Sequence, residues 1–260
     1  MRTLGQFYPV GSPLHDLDAR AKILAVAVLA VGLFLVDSLI GFLVVGVALA
    51  ACVAVSRVPT TVFSGFLRPV LPIVAATALF QAFFSREGRI LVEWGFVEVR
   101  DEGLMLAAFL ASRILLLVGA AGLLTATTSP LALADGVEDL LSPLKKLRFP
   151  VHEVAMMMSI ALRFVPTLAE EAGRITRAQA ARGASFSEGG LWKRARAMLP
   201  VLVPLTVGAF RRADELAEAM ESRGYRGGEG RTRYREARFG PGDWLAPVLA
   251  AVVMVVAVSL

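Results

Sequence analysis

The sequence predicts an all-α integral membrane protein with about five transmembrane helices and a cytosolic domain of long amphipathic helices. Three observations predict it. Of 260 residues, 56% are hydrophobic and 19% charged, too apolar for an ordinary soluble domain of this length, so lipid is part of the solvent. The apolar residues gather into runs that polar breaks separate. The charges gather elsewhere: Ser129 to Asp243 holds 18 of the 27 Lys and Arg, with 14 acids.

Met1 to Lys22 carries Asp16 and Asp18 with Arg20 and Lys22, and no cleavage site follows, so it reads as a retained cytosolic tail. Ile23 to Arg57 is apolar except at Asp37 and Ser38. One helix of that length overshoots a hydrocarbon core of about 30 Å, so two helices are expected, with Asp37 or Ser38 capping the second. A third run covers Pro69 to Phe84, a fourth Leu104 to Thr127, and a fifth Trp244 to Leu260, with its Trp as an interfacial anchor. The expected division is therefore 1–128, a membrane domain of about four spans; 129–243, cytosolic; and 244–260, a final span. The basic segment and the amino terminus face the cytosol under the positive-inside rule, and Ser85 to Gly103 faces outward. Its net charge of +5 is met by lipid headgroups, and nucleic acid is not an expected partner.

Arg113 stands inside the fourth run. An intramembrane charge is a functional candidate because burying it costs at least about 2.5 kcal/mol, and the alternative is bonding to a neighbouring helix. Cys52, the one cysteine, reads as a small hydrophobe and excludes an internal disulfide. His15 and His152 lie far apart in sequence without a Cys nearby and read as ordinary polar residues. No phosphate-binding loop, H-E-x-x-H or G-x-S-x-G is present, so neither catalysis nor a cofactor is expected.

Within the basic segment, Leu133, Val137, Leu140, Leu141 and Leu144 line one side of a short amphipathic helix, with Asp135, Glu138 and Asp139 opposite. A long helix begins at Val151. Val154, Met157, Met158, Ala161, Val165 and Leu168 form its apolar stripe, and Pro166 is expected to kink it. A second long helix follows Gly189-Gly190, with Arg211 and Glu215 spaced to pair. The two helices echo one another: Ala172, Ala178, Arg182 and Gly183 recur in the same order and at the same spacing as Ala213, Ala219, Arg223 and Gly224. Glycine suits a left-handed helix end, and arginine beside it suits the helix dipole. Two copies favour two equivalent contacts with a partner that comes in related halves.

These segments resemble the transmembrane T component of energy-coupling factor transporters, the CbiQ and BioN family. The resemblance rests on Ser12 to Leu24 (SPLHDLDARAKIL), Thr127 to Leu144 (TTSPLALADGVEDLLSPL), Ala161 to Gly183 and Glu218 to Tyr225. The family's two X-Arg-X signatures stand here as Ala181-Arg182-Gly183 and Ser222-Arg223-Gly224. The resemblance implies a non-catalytic scaffold whose cytosolic coupling domain docks two ABC-type ATPase subunits through Arg182 and Arg223. It also implies a separate substrate-binding S component, which takes a vitamin or a transition-metal ion. Leu133, Val137, Leu140, Leu141, Leu144, Met157 and Met158 are the candidate face for that component. A self-contained carrier using Arg113 is the competing reading.

Overall fold

A computed structural model describes residues 7–84, 88–94, 97–143, 150–186, 190–227, 239–240 and 242–260. In chain order the elements are α1 (Pro13–Asp16), α2 (Ala19–Leu33), α3 (Leu39–Ser56), α4 (Thr60–Leu67) and α5 (Leu71–Phe84). The strands β1 (Ile90–Trp94) and β2 (Val97–Arg100) follow, then α6 (Asp101–Thr127), α7 (Pro130–Leu141), α8 (Val151–Ala181), α9 (Leu191–Ser222) and α10 (Leu245–Ser259). The chain forms two compact units, residues 1–140 with 235–260, and residues 141–234.

The first unit is a helical membrane bundle. Its α2 and α3 are separate helices, as the sequence predicts, because Ser38 caps the second: its hydroxyl accepts from Gly41 N at 3.0 Å. Lys22 near the start of α2 reaches Thr127 at the end of α6, and the end of α2 meets Arg113, so these two helices run in opposite directions. Phe42 stacks near Phe109 with centroids 5.7 Å apart, and further along Leu49 lies over Gly119, so α3 runs with α6. The α2–α3 turn therefore sits level with residues 109–113 of α6, about 7–14 Å along that helix from the start of its apolar run at Leu104. Around this turn Leu33, Val36, Phe42 and Val45 pack with Met254 and Ala257 of α10 into the buried core. Close approach needs small residues: a side chain at Gly32 would strike Met254, and one at Gly41 would strike the Ala257 carbonyl. Residues facing away, such as Val31, Leu43, Phe80 and Val255, are 60–69% exposed and suit lipid.

Two features of this unit depart from the sequence reading. The helix α4 precedes the third apolar run, and α4 and α5 together are long and apolar enough to cross, bent by 47° at the break. The Arg57 to Arg68 stretch is therefore largely helix, and Phe63 and Phe66 of α4 lie against Gly119 and Gly122 of α6. The expected loop before α6 holds a two-stranded antiparallel hairpin pairing Ile90 with Arg100 and Trp94 with Val97, so the all-helical plan has one small exception. Among the described residues, α3, α6 and α8 are each long and apolar enough to cross a membrane, and the bent pair makes up to four. Helices α2 and α10, at 15 residues each, reach only about 22 Å.

The second unit is built on α8 and α9, which pack together. Pro166, Pro200 and Pro204 all lie inside these helices, and the helical assignment is unbroken at each.

Candidate functional site

Each long helix ends in the same way. Arg182 and Arg223 occupy the C-cap positions with φ −87° at both and ψ of 8° and 7°. The next residue, Gly183 or Gly224, is left-handed, with φ of 88° and 72°. Gly183 N donates to Ala180 O at 3.0 Å and Ala184 N to Gln179 O at 3.0 Å. At the other end Gly224 N donates to Glu221 O at 2.9 Å and Tyr225 N to Met220 O at 3.0 Å. Both ends are thus Schellman motifs, in which the two residues after the cap satisfy carbonyls of the last turn. The repeated small-Arg-Gly signature is a repeated backbone geometry.

Ala181, Arg182, Gly183, Ser222, Arg223 and Gly224 are all exposed. Among the described residues neither the Arg182 nor the Arg223 side chain has a hydrogen-bonding or ionic partner, which leaves five guanidinium N–H donors on each without one there. Ser222 is tied back to its helix, its hydroxyl donating to Ala219 O at 3.0 Å. The expected Arg211–Glu215 pair forms at 3.9 Å, with side chains 77% and 67% exposed, and contributes little.

The pair that sequence reasoning missed joins the two helices. Arg212 Nη2 lies 2.6 Å from Glu171 Oε2, with side chains 28% and 21% exposed. A signal for it was present, because Arg212 stands as far after Glu171 as Arg223 stands after Arg182, the spacing of the repeat itself.

The candidate apolar face is divided between the units. Leu133, Val137 and Leu140 on α7 are half-buried in the first unit. There α7 lies on the start of α2, with Gly136 over Ala19 and Ile23, and Asp139 3.5 Å from Arg20. Asp139 therefore fastens α7, although the sequence placed it on the outward side. Leu141, half-buried, belongs to the second unit, as do Met157 and Met158, which are 59% and 39% exposed. Leu144 lies outside the described residues.

Arg113 is engaged within the bundle. Its Nε donates to Leu33 O at 2.9 Å and its Nη2 to Val36 O at 3.1 Å, with the guanidinium 5.3 Å from the Phe34 ring and 5.7 Å from that of Phe42. A helix that stops level with an apolar run leaves carbonyls that lipid cannot satisfy, and Arg113 supplies the donors.

The amino-terminal SPLHDLDARAKIL segment forms a polar clasp at the opposite end of α2. Lys22 Nζ donates to His15 O at 3.2 Å and Thr127 O at 3.1 Å, while Asp18 N donates to Asp243 Oδ1 at 2.8 Å. His15 Nε2 lies 3.0 Å from Tyr8 O, which only accepts, so Nδ1 is left to accept from Ser12 Oγ at 2.7 Å. Burial holds the Lys22 ammonium down to about 8, against the opposing pull of Asp16, Asp18 and Asp243.

Residues 11–234 match the family described as CbiQ, cobalt transport protein. The chain is 52% identical, over 96% of its length and 93% of the relative's, to the energy-coupling factor transporter transmembrane protein EcfT of Thermanaerovibrio acidaminovorans. It is 49% identical to the Acidaminococcus fermentans protein of that name, over 94% of this chain and 90% of the relative. With the Bacillus subtilis protein of that name it shares 44% identity over 90% and 88% of the two chains. The helical bundle, the apolar spans and these likenesses agree: the chain belongs to the CbiQ family of energy-coupling factor transmembrane components and is a multi-pass protein of the prokaryotic cytoplasmic membrane.

Proposed function

We propose that this chain is the non-catalytic scaffold of an energy-coupling factor importer, transmitting ATP-driven closure of two cytosolic ABC-type ATPase subunits to a substrate-binding S component. The observation that carries the reading is the pair of exposed arginines, each side chain without a partner among the described residues, on two helix ends of matching geometry. A partner made of two related subunits needs two equivalent handles, and the planar fork of arginine grips carboxylates and carbonyls in fixed geometry. Residues 129–243 are the cytosolic coupling domain in this reading, and 1–128 with 244–260 are the membrane part. The apolar residues of α7 and Met157 and Met158 on α8 meet the S component, where methionine adapts to partner shape. The cargo is a vitamin or a transition-metal ion. Arg113, on which a self-contained carrier would depend, is committed to the end of α2.

Reconstitution into liposomes tests the proposal. The chain alone is expected to hydrolyse no ATP and move no substrate, and uptake is expected only when both ATPase subunits and an S component are added. Uptake by the isolated chain down an ion gradient, or failure of ATPase subunits to co-isolate with it in mild detergent, would reject the reading.

A further inference from the structure

We infer that Glu171 and Arg212 form the positioning contact that registers α8 against α9 and so fixes where Arg182 and Arg223 stand relative to each other. Four observations meet at this point. The repeat that relates the two arginine ends also relates Glu171 to Arg212, so each member stands equally far before its own arginine. Both are inside continuous helix, and about eleven residues of helix make an arm of about 16 Å on each side. The contact is close, 2.6 Å, and mostly shielded from water. Gly208 on α9 is buried, and a side chain built there would come within 3.5 Å of Glu171 Oε1, so the carboxylate rests over bare backbone one turn before its partner.

The physical consequence follows from the length of the arms. A small slip at the contact is carried to two helix ends about 16 Å away, which in the proposed complex grip separate ATPase subunits. Apolar packing between two helices tolerates sliding, whereas an ion pair between one carboxylate and one guanidinium fixes register. Arg212 Nη1 and Glu171 Oε2 are both buried and make no hydrogen bond, so the pair is held by charge at close range. Breaking the pair therefore leaves a partly desolvated charge with no replacement partner. The two residues act through Arg182 and Arg223 and touch neither cargo nor nucleotide.

This inference rests on the proposed scaffold role, and its test separates the two. Spin labels are placed at the exposed, repeat-equivalent Ala178 and Ala219 in a Cys52→Ser chain, and the inter-label distance distribution is measured on the full chain in nanodiscs without ATPases. A single narrow distribution is expected. Glu171→Gln and Arg212→Gln should each broaden or displace it, and the exchange Glu171→Arg with Arg212→Glu should restore it, because the exchanged residues occupy equivalent places. Uptake by the complete transporter, per folded molecule, should fall about fivefold or more in each single variant and recover in the exchange. Distributions unchanged in both single variants would overturn the inference, as would an exchange that fails to restore the distribution, or unchanged uptake in both singles. Restored distances in a chain whose uptake needs no ATPase would leave the contact standing and reject the scaffold reading instead.

Discussion

Replacing Arg182 and Arg223 with alanine separates a docking role from a helix-end role by magnitude. Both side chains are exposed and, among the described residues, without partners, so the fold loses little, about 1 kcal/mol or less for each. Their one intramolecular benefit is the interaction of a cation with the helix dipole, worth about 0.3–1 kcal/mol. A charged, hydrogen-bonded anchor removed from a protein interface costs about 2–5 kcal/mol, which is a loss in affinity of about 30-fold to several thousandfold. The two ranges do not overlap. ATPase subunits would be titrated onto nanodisc-embedded chain, with thermal midpoints measured on the same preparations. Each single variant should keep its midpoint and lose at least about 30-fold in affinity for one subunit, while the double variant should lose both subunits and all uptake. Lysine at either position should restore docking only partly, since the ammonium lacks the planar fork. Normal docking and uptake in the double variant would refute the reasoning and return both arginines to the role of helix-end charges.

Alanine at Gly183 or Gly224 meets no atom within 4 Å, so its cost is that of a left-handed L-residue, about 1–2 kcal/mol. ATPase affinity should fall by less than in the arginine variants, and asparagine should be tolerated better than alanine at both places. Leucine at Arg113 leaves Leu33 O and Val36 O without donors, at about 1–3 kcal/mol for each buried acceptor, so the thermal midpoint should drop while uptake per folded molecule stays normal. A normal midpoint with lost uptake would place Arg113 in a transport path. Lys22 is held down to about 8 from 10.5, so between those values the unfolded chain binds more protons than the folded one. Raising pH through that window should therefore stabilise wild type relative to Lys22→Met in thermal melts, and a difference that stays flat would remove burial as the cause.

Much of this was legible in sequence because lipid simplifies the reading. An apolar run in a membrane protein must be helix, barrel strand or buried core, and 56% hydrophobic residues with clustered charge leave helix as the reading. The break at Asp37-Ser38 carried its own capping residue, and the two Arg-Gly ends carried their own left-handed glycines. The bend before α5 was missed because Thr60 to Leu67 mixes threonine and serine with aromatics, and its burial comes from glycines far onward in α6. The hairpin before α6 was missed because it falls in a segment read only for its charge. The Glu171–Arg212 contact needed the repeat to be read for complementary charge as well as for identical residues.

The structure also weakens the helix-capping reading of the two arginines, and does so by comparison within one chain. Where a basic side chain completes a helix end here, it visibly does so: Lys22 donates to the Thr127 carbonyl that ends α6, and Arg113 donates to two carbonyls that end the α2 segment. At the ends of α8 and α9 two carbonyls of each last turn are already occupied. Gln179 and Ala180, like Met220 and Glu221, accept from the backbone of the two residues that follow each cap. A Schellman motif leaves the nearby guanidinium little capping work, so beyond the dipole interaction Arg182 and Arg223 add little to the helices that carry them. An exposed arginine that its own helix needs little, repeated in matching backbone geometry at the end of the next long helix, is what the proposed docking of two related subunits requires.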